Sequence, residues 1–151
     1  MKHPQHSKLD YHKITEYIYI GTNQCCQTHF DERLLKKKIR ADISLEKNRL
    51  DVPFGVDYYL WLPVADHKAP TARQLELGIA MLRFCVKHRI PVYVHCKQGH
   101  GRAPTLVAAY LMTTGMKAAQ AISYIKKQRP ITHLNPIQVN ALLRFEKIIR
   151  A

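Results

Sequence analysis

The 151-residue chain is 46% apolar with no polar low-complexity tract, which fits a single domain with one buried core and argues against wholesale disorder or two comfortable domains. Its 24 Lys and Arg against 11 Asp and Glu give a formal charge of +13, a field that attracts anions and so names the sign of a partner, not its identity. No apolar run approaches the roughly 18 to 20 residues of a membrane span, and the opening MKHPQHSKLDYHK lacks a signal's apolar stretch, so a soluble cytoplasmic protein is expected, with residues 1–12 a flexible polar tail.

ITEYIYIG (14–21) mixes β-branched and aromatic residues and stops at glycine, as a strand and its exit turn do. THFDERLLKKKI then predicts a helix, with Thr28, three residues before Asp31, as its start. Strand signals return in ADISLE (41–46) and VDYYLWLPV (56–64), separated by a polar loop containing Pro53 and Gly55. Thr71 and Gln74 stand in the T-x-x-Q relation of a capping box, and Leu75, Ile79, Leu82 and Val86 follow at helical intervals, predicting a helix over about 71–88. PVYVHC (91–96) is a short apolar strand that delivers Cys96 to its carboxyl end. After Arg102, APTLVAAYLM is apolar on nearly every side, the mark of a helix surrounded by protein. Two more helices are predicted from Ala118, Ala121, Ile122 and Ile125, and from Leu142, Phe145 and Ile149, the last with Asn135 as cap and Pro136 as first helical residue.

The pattern predicts an α/β domain: a mostly parallel central sheet of about four to five strands, flanked by helices on both faces. Ligands of such sheets bind beyond the strands' carboxyl ends, where Cys96 lies. The basic clusters at 36–38, 87–89 and 126–127 read as solvated helix faces in preference to a nucleic-acid stripe. Cys25, Cys26, Cys85 and Cys96 lack metal spacing, and no disulfide framework is expected. Metal binding by His3, His6 and His12 is a weaker reading than a polar tail, and nothing calls for a cofactor.

The stretch VHCKQGHGRAPT (94–105) carries the chemistry. Between a strand and a buried helix, the N–H groups of Lys97, Gln98, Gly99, His100, Gly101 and Arg102 can converge on one point at a helix N-terminus, an anion cradle. Gly99 and Gly101 permit positive φ and close backbone approach. Arg102 stays charged and offers a planar fork to two phosphoryl oxygens. The same donors favour Cys96 as a thiolate, a nucleophile facing a bound phosphate, while His95 is expected to orient the loop.

These features resemble the cysteine-dependent protein tyrosine phosphatase superfamily and, within it, the small atypical dual-specificity phosphatases. The resemblance runs from ITEYIYIG through LPVADHKAPT and HCKQGHGRAPTLVAAYLM to IKKQRP and NPIQVNALLRFE. It implies hydrolysis of a phosphoric monoester through a phosphocysteine intermediate, with phosphotyrosine, phosphoserine or phosphothreonine in proteins as substrate. A leaving oxygen needs a proton, and WLPVADHKAPT has the form of the family's mobile acid loop, so Asp66, about thirty residues before Cys96, is the expected general acid and later base. Asp57 is a weaker rival, and His67 could tune Asp66 or touch substrate.

One position departs from the pattern. Family members usually place Ser or Thr after the loop arginine to help sulfur leave as a thiolate; here it is Ala103, and Thr105 lies about 200° further round a helix. A slowed second step is expected. Lys97 and His100 suit a substrate with more than one anionic group, so a lipid phosphatase acting on phosphoinositides or phosphatidylglycerophosphate is an alternative, as is an RNA 5′-phosphatase. A noncatalytic phosphate-binding module would need neither thiol nor acid, and arsenate reductases of the low-molecular-weight type carry their cysteine near the chain start. Gln138, a candidate for steering water, reads equally as a solvent-facing helix residue.

Overall fold

The computed structural model describes residues 9–24 and 29–151. Thr28, Cys25, Cys26, His3 and His6 lie outside them. In chain order the elements are β1 (Tyr11–Lys13), β2 (Ile18–Gly21), α1 (Glu32–Lys36), β3 (Ala41–Glu46), β4 (Tyr58–Val64), α2 (Ala72–Lys87), β5 (Val92–His95), α3 (Arg102–Thr113), α4 (Ala118–Gln128) and α5 (Pro136–Ile149).

The five strands form one sheet in the order β1-β2-β5-β3-β4, parallel throughout except for the antiparallel pairing of β1 with β2. Every residue of β5 is buried, as its unbroken apolar run requires of a strand covered on both faces. The period of two divides its side chains between two cores. Ile18, Ile20, Val92 and Val94 pack with residues of α2 to α5, whereas Tyr19 and Tyr93 turn to the opposite face and meet Phe30 and Leu34. Helices therefore lie on both faces, four against one. Nothing between Arg102 and Met112 in α3 is exposed, in keeping with its all-round apolar sequence.

Capping explains where the helices begin. Thr71 Oγ1 accepts from Gln74 N at 3.1 Å and Gln74 Oε1 from Thr71 N at 3.0 Å, the reciprocal pair read from the sequence. Asn135 and Gln138 repeat it at α5, with Pro136 at the first helical position. The cap of α1 is Asp31, whose Oδ1 accepts from Arg33 N at 2.8 Å. The tail expected over residues 1–12 needs correction at its end, because Tyr11 and His12 belong to β1 and pair with Gly21 and Ile20. No helix among the described residues is long and apolar enough to cross a membrane.

Candidate active site

The loop after β5 is shaped by what its carbonyls do. Lys97 O accepts from Asn23 N at 3.3 Å, and His100 O from His133 N at 2.7 Å. Between them, Arg129 donates from Nη2 to Gln98 O at 2.9 Å and from Nε to Gly99 O at 2.8 Å. Four successive carbonyls are thus held by outer partners. In a planar trans peptide the next residue's N–H points the opposite way, so the amides of Gln98, Gly99, His100 and Gly101 turn toward the loop's centre. Gly99 has φ 67, and a Cβ there would collide with the Gly21 carbonyl, so both backbone freedom and space demand glycine. Gly101 corrects the sequence reading. Its φ is −130, so the requirement there is room: a Cβ would lie 3.0 Å from the Gln138 amide.

Cys96, the residue before this loop, lines a cavity of about 410 Å³ together with Asp66, Lys97, His100, Arg102 and Gln138. Only 3% of Cys96 is accessible, so it is reached through the cavity. Arg102, the first residue of α3, is equally buried, with Nη1 donating to Val64 O at 2.8 Å and Nη2 to Glu46 Oε2 at 3.2 Å. Burial opposes charge on Glu46, but the Asn48 N–H on Oε1 at 3.1 Å and the Arg102 guanidinium outweigh it, holding the carboxyl below its ordinary value. The arginine is therefore fixed by a carboxylate that the sequence reading had taken only as the last residue of a strand.

Asp66 is 55% exposed, and its Oδ1 lies 3.6 Å from Arg102 Nη2 while accepting from the His67 backbone N–H at 3.0 Å. The loop that carries it rests on the start of α5. Asn135 Nδ2 donates to His67 O at 2.8 Å, and Gln138 Nε2 to Lys68 O at 3.1 Å. His67 has φ 65, a turn into the left-handed region that brings its carbonyl to Asn135. Gln138 is 2% exposed and lines the cavity, so the solvent-facing reading is replaced by one that joins the loop carrying Asp66 to the loop after β5. Asp57, the rival acid, lies outside the cavity lining.

His95 is wholly buried, with Nδ1 3.0 Å from Asn23 Oδ1. Asn23 N also donates to Lys97 O, so a neighbour remote in sequence lies between the histidine and the loop. Arg129 went unnoticed in the sequence, although an arginine amid IKKQRP just before a proline was its one signal. It is 0% exposed and, on its far side, Nη1 lies 2.7 Å from His12 Nδ1 and 3.1 Å from Asp10 Oδ2. Arg129→Met strands two loop carbonyls and is expected to destabilise the fold by about 3 kcal/mol while raising KM. Urea unfolding checks this; a shift below about 0.5 kcal/mol would put the residue among ordinary surface positions.

Ala103 is fully buried, and Thr105 Oγ1 donates to Gly101 O at 2.8 Å, a bond within the helix that occupies the hydroxyl proton. Cys85 is a buried thiol that burial pushes up to about 11, a poor partner for redox exchange.

Comparison with known proteins agrees with this geometry. Residues 18–148 match the family model described as dual specificity phosphatase, catalytic domain. The chain is 33% identical over 143 residues to dual specificity protein phosphatase 5 of Rattus norvegicus, covering 91% of this chain and 36% of that protein. It is 37% identical over 86 residues to phosphatidylglycerophosphatase and protein-tyrosine phosphatase 1 of Homo sapiens, covering 54% of this chain and 41% of the relative. The chain thus spans well under half the length of either. The crystal structure of PTPMT1 in complex with PI(5)P superposes with a TM-score of 0.80 at 27% identity, over 93% of this chain and 96% of the other.

Proposed function

The chain belongs to the dual specificity phosphatase family through its catalytic domain, and from that premise we propose that it hydrolyses phosphoric monoesters through a phosphocysteine intermediate, acting on phosphotyrosine, phosphoserine and phosphothreonine in proteins. The observation that carries the reading is the set of four loop carbonyls bound outward, which aims their partner amides into the cavity shared by Cys96, Asp66 and Arg102.

The amides and the Arg102 fork bind three phosphoryl oxygens and stabilise the charge that spreads over them as the reaction proceeds. The Cys96 thiolate forms an S–P bond while the bond from phosphorus to the ester oxygen breaks, and Asp66 gives that oxygen its proton. The resulting Asp66 carboxylate then takes a proton from water, whose oxygen attacks phosphorus. The S–P bond breaks, and inorganic phosphate and the thiolate are released. To Gln138, whose amide lies beside Gly101 and lines the cavity, this scheme gives the steering of that water. Turnover of p-nitrophenyl phosphate in the presence of a chelator tests the reading. Phosphate binding without hydrolysis would make the protein a noncatalytic binding module.

A second substrate class is favoured by the cavity rim, where Lys97, His67, His100 and His133 gather around one acid, Asp66. Such a rim suits a substrate with a second anionic group, as in a phosphoinositide. A panel of phosphopeptides, phosphoinositides, phosphatidylglycerophosphate and 5′-phosphorylated RNA, compared by kcat/KM, decides between protein, lipid and nucleic acid.

With Ala103 offering sulfur no hydroxyl, hydrolysis of phosphocysteine limits turnover. Ala103→Ser is expected to raise kcat about tenfold, the worth of one hydrogen bond to a charged atom. Rapid mixing of the unaltered protein should show a product burst. No burst, together with no gain for the variant, would place the slow step elsewhere.

A further inference from the structure

Behind the nucleophile lies a buried group of charges that the reaction scheme does not use. Asp42 and His95 are inaccessible and Asp51 nearly so, at 5%. His95 Nε2 stands 3.1 Å from Asp42 Oδ1 and 3.7 Å from Asp51 Oδ2, while Nδ1 stands 3.0 Å from Asn23 Oδ1. Asn23 Nδ2 is directed at Glu46 Oε2 at 3.5 Å, which leaves Oδ1 as the amide atom facing the ring. An oxygen thus confronts each ring nitrogen. Against an ionised Asp42, a neutral imidazole with one N–H and one lone pair would set lone pair against lone pair at one of these contacts; the imidazolium carries a proton on each nitrogen.

The carboxylates make the same demand. Among the described residues neither oxygen of Asp42, nor Asp51 Oδ2, has an aligned hydrogen-bond donor, and a buried carboxylate so placed is costly without a nearby positive charge. Arg49 Nε donates to Asp51 Oδ1 at 2.9 Å, so a charged His95 completes two cations against two anions. Tyr93 stacks on the ring at 5.3 Å, and the Tyr59 hydroxyl is pushed up to about 12 by burial and by the charges of Asp42 and Asp51.

We propose that His95 is a resident imidazolium held between Asn23 and the two carboxylates, and that Asp42 is thereby a positioning residue acting through His95, Asn23 and Glu46 on Arg102. Burial opposes the ring's charge, the Arg49 guanidinium adds to that, and Asp42 with Asp51 overcomes both, setting His95 above the ordinary imidazole value, while burial raises Asp42 above the ordinary carboxylate value against the pull of His95. Asn23 reaches the loop twice, by its backbone N–H to Lys97 O and by its side chain to Glu46, the carboxylate that fixes Arg102. The ring's charge is a property of the fold alone; its effect on Arg102 rests on the phosphatase reading.

Nitrogen-15 spectra of the histidine-labelled full chain test the charge directly. At a pH where exposed histidines have lost their protons, both His95 nitrogens are expected to remain protonated. An unprotonated nitrogen there overturns the assignment. Asp42→Asn should convert the ring to a neutral tautomer and weaken orthovanadate binding about tenfold. A folded variant with the unaltered ring signal, or with unaltered vanadate affinity, overturns the positioning role. Should Asp42→Asn fail to fold, Asn23→Ala supplies that measurement: the ring keeps its charge and vanadate affinity falls about tenfold; unchanged affinity overturns the relay. A protonated ring in a catalytically inert protein would remove the phosphatase reading and leave the charge assignment standing.

Discussion

Cys96→Ser is expected to lower kcat for p-nitrophenyl phosphate by about 10⁴-fold or more while leaving phosphate and tungstate bound with near-normal affinity. A serine hydroxyl at the same place keeps its proton at neutral pH, so the cavity retains amides and guanidinium but loses its nucleophile. The exchange removes little volume from a site that is 3% accessible, so the loop should keep its shape. Steady-state kinetics with isothermal titration of tungstate separates the two effects. Residual hydrolysis within tenfold of the unaltered protein would mean that sulfur is not the attacking atom.

Asp66→Asn should reduce kcat/KM by about 10²- to 10³-fold for a phosphothreonine peptide and much less for p-nitrophenyl phosphate, while kcat, set by the common phosphocysteine, falls alike for both. An alkyl alkoxide cannot depart without a proton, whereas p-nitrophenolate nearly can, so the penalty tracks the leaving group. Asparagine can still accept the His67 backbone N–H through its carbonyl oxygen, which keeps the loop's turn. Equal losses in kcat/KM for both substrates would assign Asp66 to binding and the leaving group's proton to another residue.

Most of the sheet and all the longer helices could be read from the chain because their signals are local. Thr71 with Gln74 and Asn135 with Gln138 are caps within three residues, β3 alternates apolar with polar residues, and β5 is a short, mostly apolar run. β1 escaped because YHK carries no pattern; it is a strand only through pairing with β2. In the candidate site, Cys96, the loop and Arg102 are consecutive, and Asp66 follows a strand and precedes a capped helix, so sequence order alone exposes them. Glu46, Asn23, Arg129 and Asp42 act across distances that strand register creates. β3 lies beside β5 with Asp42 opposite Tyr93 and Ser44 opposite His95, which brings one strand's acids to the other's end. Gln138 shows the same limit in reverse: its capping role was local and legible, but its burial between two loops was not.

Arg129 bridges the phosphate loop to Asp10 and His12, yet the segment matched by the family begins at residue 18. Trimming the chain to that segment would therefore do damage far from the cut. The guanidinium would lose its outer anchors, and one rim of β2 would be bared to pair with other molecules, so such a shortened protein should bind oxyanions loosely and clump on storage.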